Sequence, residues 1–402
     1  MRTLFSDRTD AHSLIRRGRQ DIPSPWPANL GPRVLKGLGR DTPFLATDLN
    51  TIRDRYTRLL QAMPGVQPFY AMKCNPSPEV ISALAAQGSS FEVASFPELQ
   101  TLIGLGIDPA RVLYSNTVKP PAHIEAAHAA GLWRFAADSG GEIQKLATLA
   151  PGAAVYIRLR VDDSSASFPL SRKFGAEAAK ALILMREAQR VGLQPYGLTF
   201  HVGSQCVNPL AWAAAIGVTG DLMTDLAAEG IQIEMLDIGG GFPADYGDGV
   251  PSIGDIGRMV TSSIDELLPY RPTLIAAEPG RHLVAEAGVM VATVLGRDVR
   301  AGENWLYLDV GAYNGLMESL QTNNAWKFPI WSSRPDHGVV PRLPFTVTGP
   351  SCDSSDTMFY GEMLPSTIEA GNQLYIGGAG AYSLSYASSF NGFGPPATVF
   401  VG

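Results

Sequence analysis

The chain has 402 residues, 45% apolar and 17% charged, the balance of a globular protein long enough for one large domain and a smaller one. A formal net charge of −7 without any concentrated run of Lys and Arg argues against nucleic acid or an anionic membrane as partner, and Arg16-Arg17-Gly18-Arg19 reads as a solvated turn. Cys74, Cys206 and Cys352 cannot all pair, and neither they nor the six scattered histidines have metal-ligand spacing; no metal centre is expected. Met1 to Gln20 lacks the apolar region of a secretory signal and charges interrupt every apolar stretch, so a soluble, cytoplasmic protein is expected.

From Pro43 onward, short β-branched or aromatic runs alternate with longer amphipathic ones, the pattern of strand-helix units around a parallel sheet. The strand-like runs are Phe69–Cys74, Ser90–Ser95, Arg111–Asn116, Arg134–Ser139, Ala154–Arg160, Gly197–Gly203, Met235–Gly241 and Thr273–Gly280. Helical spacing of apolar residues marks Pro78–Gln87, Phe96–Gly104, Ala122–Gly131, Ala176–Gly192 and Leu210–Gly230. Eight alternations close an α/β fold, a TIM-like (β/α)8 barrel over residues 43–282. Past Leu283 the strand-like runs Val289–Leu295, Trp305–Asp309, Leu343–Thr348, Gln373–Ile376 and Ala397–Val401 lack long helices between them. Residues 283–402 therefore read as a second, all-β domain, against which residues 1–42 are expected to pack.

Barrel enzymes hold their chemistry at the carboxyl ends of the strands. Lys73, Glu92, Ser95, Asn116, Asp138, Arg158, His201, Gly239–Gly241 and Glu278 all fall in or at such ends. A lone lysine there is usually a solvated charge, and a glycine turn often serves only tight packing. The company of Lys73 is what points elsewhere. Gly239-Gly240-Gly241 lets backbone N–H groups approach a phosphate, and Glu278-Pro279-Gly280-Arg281 adds a guanidinium for that phosphate and a carboxylate for a protonated pyridine nitrogen. His201-Val202-Gly203-Ser204 offers an imidazole to stack on a ring and a hydroxyl for the phosphate. Free cysteines usually behave as small buried hydrophobes, but Asp353 and Asp356 make an apolar site around Cys352 implausible. A lysine amine able to form a Schiff base, a phosphate cradle and a ring-facing acid are the requirements of pyridoxal 5'-phosphate chemistry. Val161–Lys173, rich in Asp, Ser and Pro, reads as a mobile loop that covers such a site.

FYAMKCN, FEVAS, KFGA, FHVGSQ, LDIGGGFP, EPGRHLV, GPSCDSSD, GAY and FNGF occur in this order over nearly the whole chain. In this the sequence resembles the fold-type III pyridoxal phosphate decarboxylases, and within them the ornithine decarboxylases. The resemblance implies a head-to-tail homodimer with shared sites, the β domain lending Cys352 and Asp353 to the partner. It makes Lys73 the Schiff-base lysine and Cys352 the acid that protonates the substrate α-carbon. Glu278 would hold the ring nitrogen and His201 would stack on the ring. Ser204, Gly241, Gly280, Arg281 and Tyr382 would bind phosphate, with Gly239 and Gly240 shaping the loop and Arg158 orienting the cofactor. Glu92, in place of an aspartate common in the family, and Glu98 would lie near the lysine. Asp353 would receive a distal ammonium, Phe390 would lie near the cofactor end of the joint pocket, and Lys173 and Asp356 would pair across subunits.

The implied reaction is decarboxylation of a small basic L-amino acid, ornithine to putrescine and carbon dioxide first. Lysine, arginine, diaminopimelate or a modified diamino acid are rivals. Diaminopimelate decarboxylases carry glutamate after the cysteine, where this chain has Asp353; alanine racemases give the Cys-Asp motif no role. A non-catalytic regulatory binding protein has no evident need for Lys73, His201, Glu278, Arg281 and Cys352. Ornithine decarboxylases of eukaryotes place Tyr-Asp where this chain has Gln321-Thr322, so one distal carboxylate is missing, and Glu318 compensates if it turns inward.

Overall fold

The computed structural model describes Pro27 and residues 29–322, 326–333 and 340–402. Strand β1 (Phe44–Asp48) leads into a helix at Leu49–Ala62, whose first turn is capped by the Asp48 carboxylate. Next come β2 (Val66–Ala71), β3 (Ser90–Val93), β4 (Val112–Tyr114), β5 (Arg134–Ala137) and β6 (Ala154–Arg158). They are followed by a short β7 (Ala166–Phe168), β8 (Gln194–Thr199), a short β9 (Ser204–Cys206), β10 (Met235–Asp237) and β11 (Leu274–Ala277). Strands β2 to β6, β8, β10 and β11 pair in parallel and close a barrel in the order β10-β11-β2-β3-β4-β5-β6-β8. These are the eight strands read from sequence; each expected run continued into the loop that carries the polar groups.

Alternation along the strands separates two cores. Phe69, Leu113, Ala136, Tyr156, Met235 and Ala276 form one buried cluster, while their strand neighbours Tyr70, Val112, Phe135, Val155, Leu236 and Ile275 join the helices in another. Serines at strand ends then start the helices: Ser95 caps Phe96–Gly104, and Ser139 caps Gly140–Leu149. The strand-to-helix loops are thus pinned at both ends, which fixes the side chains that project from them.

The β domain comprises β12 (Gly288–Arg300), β13 (Glu303–Leu308), β14 (Ile330–Ser332), β15 (Arg342–Thr348), β16 (Thr357–Pro365), β17 (Gln373–Gly377) and β18 (Ala397–Val401). Its strands run β14-β17-β12-β13-β15-β16, with β1 paired antiparallel to β12 and parallel to β18. The expected boundary at residue 43 is therefore corrected: β1 belongs to the β sheet, and the barrel begins with the helix after Asp48. At the far end Leu283, Val284, Ala285 and Ala287 pack in the barrel's outer core, so the β domain starts at Gly288 rather than 283. Leu30 and Leu35 pack on Phe44, Val289, Val291 and Tyr375; residues 1–26 of the segment expected to pack on the β domain lie outside the described residues. Among the described residues no helix is long and apolar enough to cross a membrane.

Candidate active site

Lys73, inside the expected run Phe69–Cys74, lies just past the end of β2, on a single 3-10 turn at Met72–Cys74 held between Ala71, whose N–H donates to Pro279, and Cys74, whose carbonyl accepts from the Tyr382 N–H at 2.7 Å. Its amine pairs with the Glu92 carboxylate at the end of β3. Burial works against the ammonium, but Glu92, with Glu278 and Glu98 beyond it, holds Lys73 above its ordinary value. Burial in turn pushes the Glu92 carboxyl up to about 7, the lysine charge pulling the other way. Glu98 is tied back to the Ala94 N–H at 2.5 Å, which fixes it at the helix start beside this pair.

One cavity of about 570 Å³ is lined by Lys73, Glu92, Arg158, His201, Ser204, Glu278, Arg281 and Tyr382, eight of the residues singled out in the sequence. His201 follows β8, and its Nδ1 accepts from the Gly203 N–H at 3.0 Å, which leaves the ring proton on Nε2. Burial, with Arg158 and Lys73 nearby, keeps that imidazole well below its usual range and therefore neutral. The loop Gly239-Gly240-Gly241 needs glycine for two reasons. Gly239 and Gly241 sit at φ +64° and +96°, and a Cβ on Gly240 would lie 2.7 Å from the Glu278 carbonyl and 3.1 Å from His201 Nε2. The Gly240 and Gly241 N–H groups donate to no acceptor among the described residues. Tyr382 has a left-handed backbone at φ +57°, a strained conformation of the sort that accumulates at functional sites, with its ring centre 5.0 Å from the Arg281 guanidinium carbon.

Arg281 is nearly fully buried, and its own chain engages four of its five N–H donors. It makes a bidentate pair with Glu318 at 2.8 and 2.5 Å, donates to Tyr246 at 2.9 Å, and points Nε at Ser204 at 3.4 Å. Phe168 and Trp326 flank it at 5.3 and 5.1 Å. Glu318 does turn inward and lines the cavity, with its carboxylate engaged by the guanidinium, since a buried arginine needs this counter-charge. Thr322 is also reassigned, because its hydroxyl accepts from the Trp326 N–H at 2.9 Å and it is absent from the cavity wall, whereas Gln321 lines it. Val161–Lys173 is no plain loop. Its β7 pairs antiparallel with β9, and Ser167 to Leu170 form one wall of the cavity.

Cys352, Asp353 and Phe390 lie outside that cavity and near one another, Cys352 and Phe390 exposed and Asp353 half-buried. Cys352 Sγ is 3.5 Å from Asn391 Oδ1, Asp353 accepts from the Tyr313 hydroxyl at 2.9 Å, and Phe390 meets the Tyr313 ring edge-on at 5.0 Å. Donation from the Ser355 N–H and the Tyr313 hydroxyl holds the Asp353 carboxyl below the usual carboxylate range. Asp356 corrects another expectation. Only 1% exposed, it accepts from the backbone N–H groups of Ala312 and Ser351 at 2.8 and 3.2 Å, so it anchors its own loop and is not presented to a partner's lysine. Lys173 instead lies over the Phe174 ring.

Sequence reasoning missed the polar floor. Glu278 accepts from Ser115, which also contacts the Tyr156 hydroxyl at 2.9 Å, and buried Asp237 lies against Glu278. Burial and Asp237 together push Glu278 up to about 8. Ser115 is the last residue but one of the expected run Arg111–Asn116, and that position is the one signal available for it. A neutral imidazole, a lysine beside a carboxylate, two donor-ready glycine amides and a buried acid around one cavity fit an aldehyde-bearing, phosphorylated pyridine. Among the described residues no group of three or more His, Cys, Asp or Glu could hold a metal.

Comparison with known proteins agrees with this fit. Residues 49–285 match the family model described as pyridoxal-dependent decarboxylase, pyridoxal binding domain. A lysine/ornithine decarboxylase of Selenomonas ruminantium is 35% identical over 90% of this chain and 91% of its own length. Ornithine decarboxylase of Mus pahari is 32% identical over 89% of this chain and 80% of its own. A lysine/ornithine decarboxylase from Vibrio vulnificus, solved with putrescine, superposes with a TM-score of 0.84 at 29% identity, covering 92% of this chain and 98% of that one. The chain belongs to the pyridoxal-dependent decarboxylases of the ornithine decarboxylase type and is a pyridoxal phosphate-dependent amino-acid decarboxylase.

Proposed function

We propose that the enzyme decarboxylates a small basic L-amino acid, ornithine first, at sites shared between the two subunits of a homodimer. One observation carries the shared site. Among the described residues no thiol lines the cavity around Lys73 and its Glu318 is held by Arg281, while exposed Cys352 and half-buried Asp353 lie outside it beside Tyr313 and Phe390. A second copy of the chain would bring that group over the cavity.

Lys73 would carry the cofactor, Gly240, Gly241, Gly280, Ser204, Arg281 and Tyr382 would hold its phosphate, and Arg158 and neutral His201 would orient its ring. Bound there, the cofactor supplies an electron sink for the carbanion left when carbon dioxide departs. Glu278 would counter the charge on the ring nitrogen. Phe168, Pro169 and Leu170, in the cavity wall formed by the Val161–Lys173 segment, would restrict water at the reacting centre. Cys352 of the partner subunit would return a proton to the substrate α-carbon from Sγ.

Substrate choice rests on Asp353. With Glu318 held by Arg281 and Thr322 turned to Trp326, Asp353 is the remaining carboxylate of the candidate set free to meet a distal ammonium. Relatives that act on both lysine and ornithine make lysine the second reading. The test is carbon dioxide release from L-ornithine, L-lysine, L-arginine, meso-diaminopimelate and the D-enantiomers, with wild type and Asp353→Ala. Ornithine should give the highest kcat/KM. Asp353→Ala should lower it by about 100-fold, the loss expected when an ammonium in a partly dry pocket loses its carboxylate. Unchanged preference for cationic side chains in Asp353→Ala would reject distal-ammonium recognition by this residue.

A further inference from the structure

We propose that Ser115 is a positioning residue for Glu278: its hydroxyl orients that carboxylate toward the cofactor's ring nitrogen and favours its charged form. The inference rests on the reading of Glu278 given above.

Ser115 directly follows β4, and its N–H donates to the Val93 carbonyl at 3.1 Å, so its backbone continues the barrel's edge. From there Oγ reaches Glu278 Oε1, across a barrel in which β4 and β11 are separated by β2 and β3. The direction of these bonds follows from proton counting. With Glu278 ionised, as its role at the ring nitrogen requires, the carboxylate only accepts, so the single Ser115 proton goes to Glu278 and Tyr156 donates to Ser115 in turn. Tyr156 is fully buried and its phenol is held well above its ordinary range by burial, which keeps that proton in place. The result is a one-way chain, Tyr156 to Ser115 to Glu278.

Such a donor has work to do here because the surroundings oppose ionisation. Glu278 is buried and touches Asp237, whose own carboxylate accepts from Thr199 at 2.7 Å and from the Gly239 N–H at 2.9 Å. Lys73 and Arg158 favour the charged form; Asp237 disfavours it. A hydrogen bond to the charged form adds to the first group. It also fixes one oxygen of Glu278 and so sets where the other points. If Ser115 merely filled space at the rim, alanine would serve as well.

The experiment uses holoenzyme reconstituted with pyridoxal phosphate carrying ¹⁵N in the ring, with the ring resonance and steady-state kinetics read for wild type, Ser115→Ala and Ser115→Thr. Wild type should show a protonated ring nitrogen. Ser115→Ala should move the resonance toward unprotonated pyridine and lower kcat about tenfold with little change in KM, and Ser115→Thr should restore both. Tyr156→Phe, which keeps the ring packing, should move the resonance in the same direction by less. A protonated wild-type nitrogen whose resonance is the same in Ser115→Ala and Tyr156→Phe overturns the role of Ser115 alone. An unprotonated nitrogen in wild type overturns the reading of Glu278, and this inference with it.

Discussion

Replacing Lys73 with alanine should reduce kcat at least ~1,000-fold and abolish the visible absorption of the purified protein, because the substitution removes the one lysine amine that lines the cavity among the described residues. Its effect on stability should be much smaller. Glu92 loses its ion-pair partner, yet burial already drives its carboxyl up to about 7, so it can take a proton instead of remaining a buried unpaired charge. A melting temperature near that of wild type together with lost turnover is the expected pair of results. A Lys73→Ala protein that retained turnover would remove the lysine from the chemistry.

The second large effect is a recovery. Lys73→Ala and Cys352→Ala should each be nearly inactive as separate proteins. Mixed under conditions that exchange subunits, half of the dimers become hybrids in which one of two composite sites has both wild-type residues, so activity should return to about a quarter of the wild-type level. The geometry behind this expectation is the separation of Cys352 from the Lys73 cavity within one chain. Subunit exchange without recovery would place both residues in a single chain's site.

How legible this molecule is from its sequence depends on how local each feature is. The barrel strands are marked by short buried runs punctuated by turn residues, and all eight could be read. β1 could not be placed, because Phe44–Asp48 followed by an amphipathic helix looks like a first strand-helix unit. Only its pairing with β12 and β18, more than 240 residues onward, assigns it to the other domain. β16 carries Gly361, Glu362 and Pro365, and these interrupt its strand pattern.

The site shows the same division. Lys73, His201, Gly239–Gly241, Glu278 and Arg281 stand in motifs at strand ends, where the chain advertises them. The Ser115 contact to Glu278 joins positions 163 residues apart, and no periodicity records it. The partners of Glu318 and Asp356 are hidden for a related reason. Each is an acid near a functional motif, and only burial distinguishes one that serves a ligand from one that holds its own protein together. Glu318 neutralises Arg281, and Asp356 ties down the loop before Cys352.

The central claim is that Lys73 carries the cofactor. Borohydride reduction of the cofactor-loaded enzyme followed by proteolysis and mass spectrometry tests it most directly. One modified peptide is expected, with the pyridoxyl group on Lys73 in the segment Phe69–Asn75. The label on any other lysine, such as buried Lys119 with its Glu142 partner behind β4, would contradict the account.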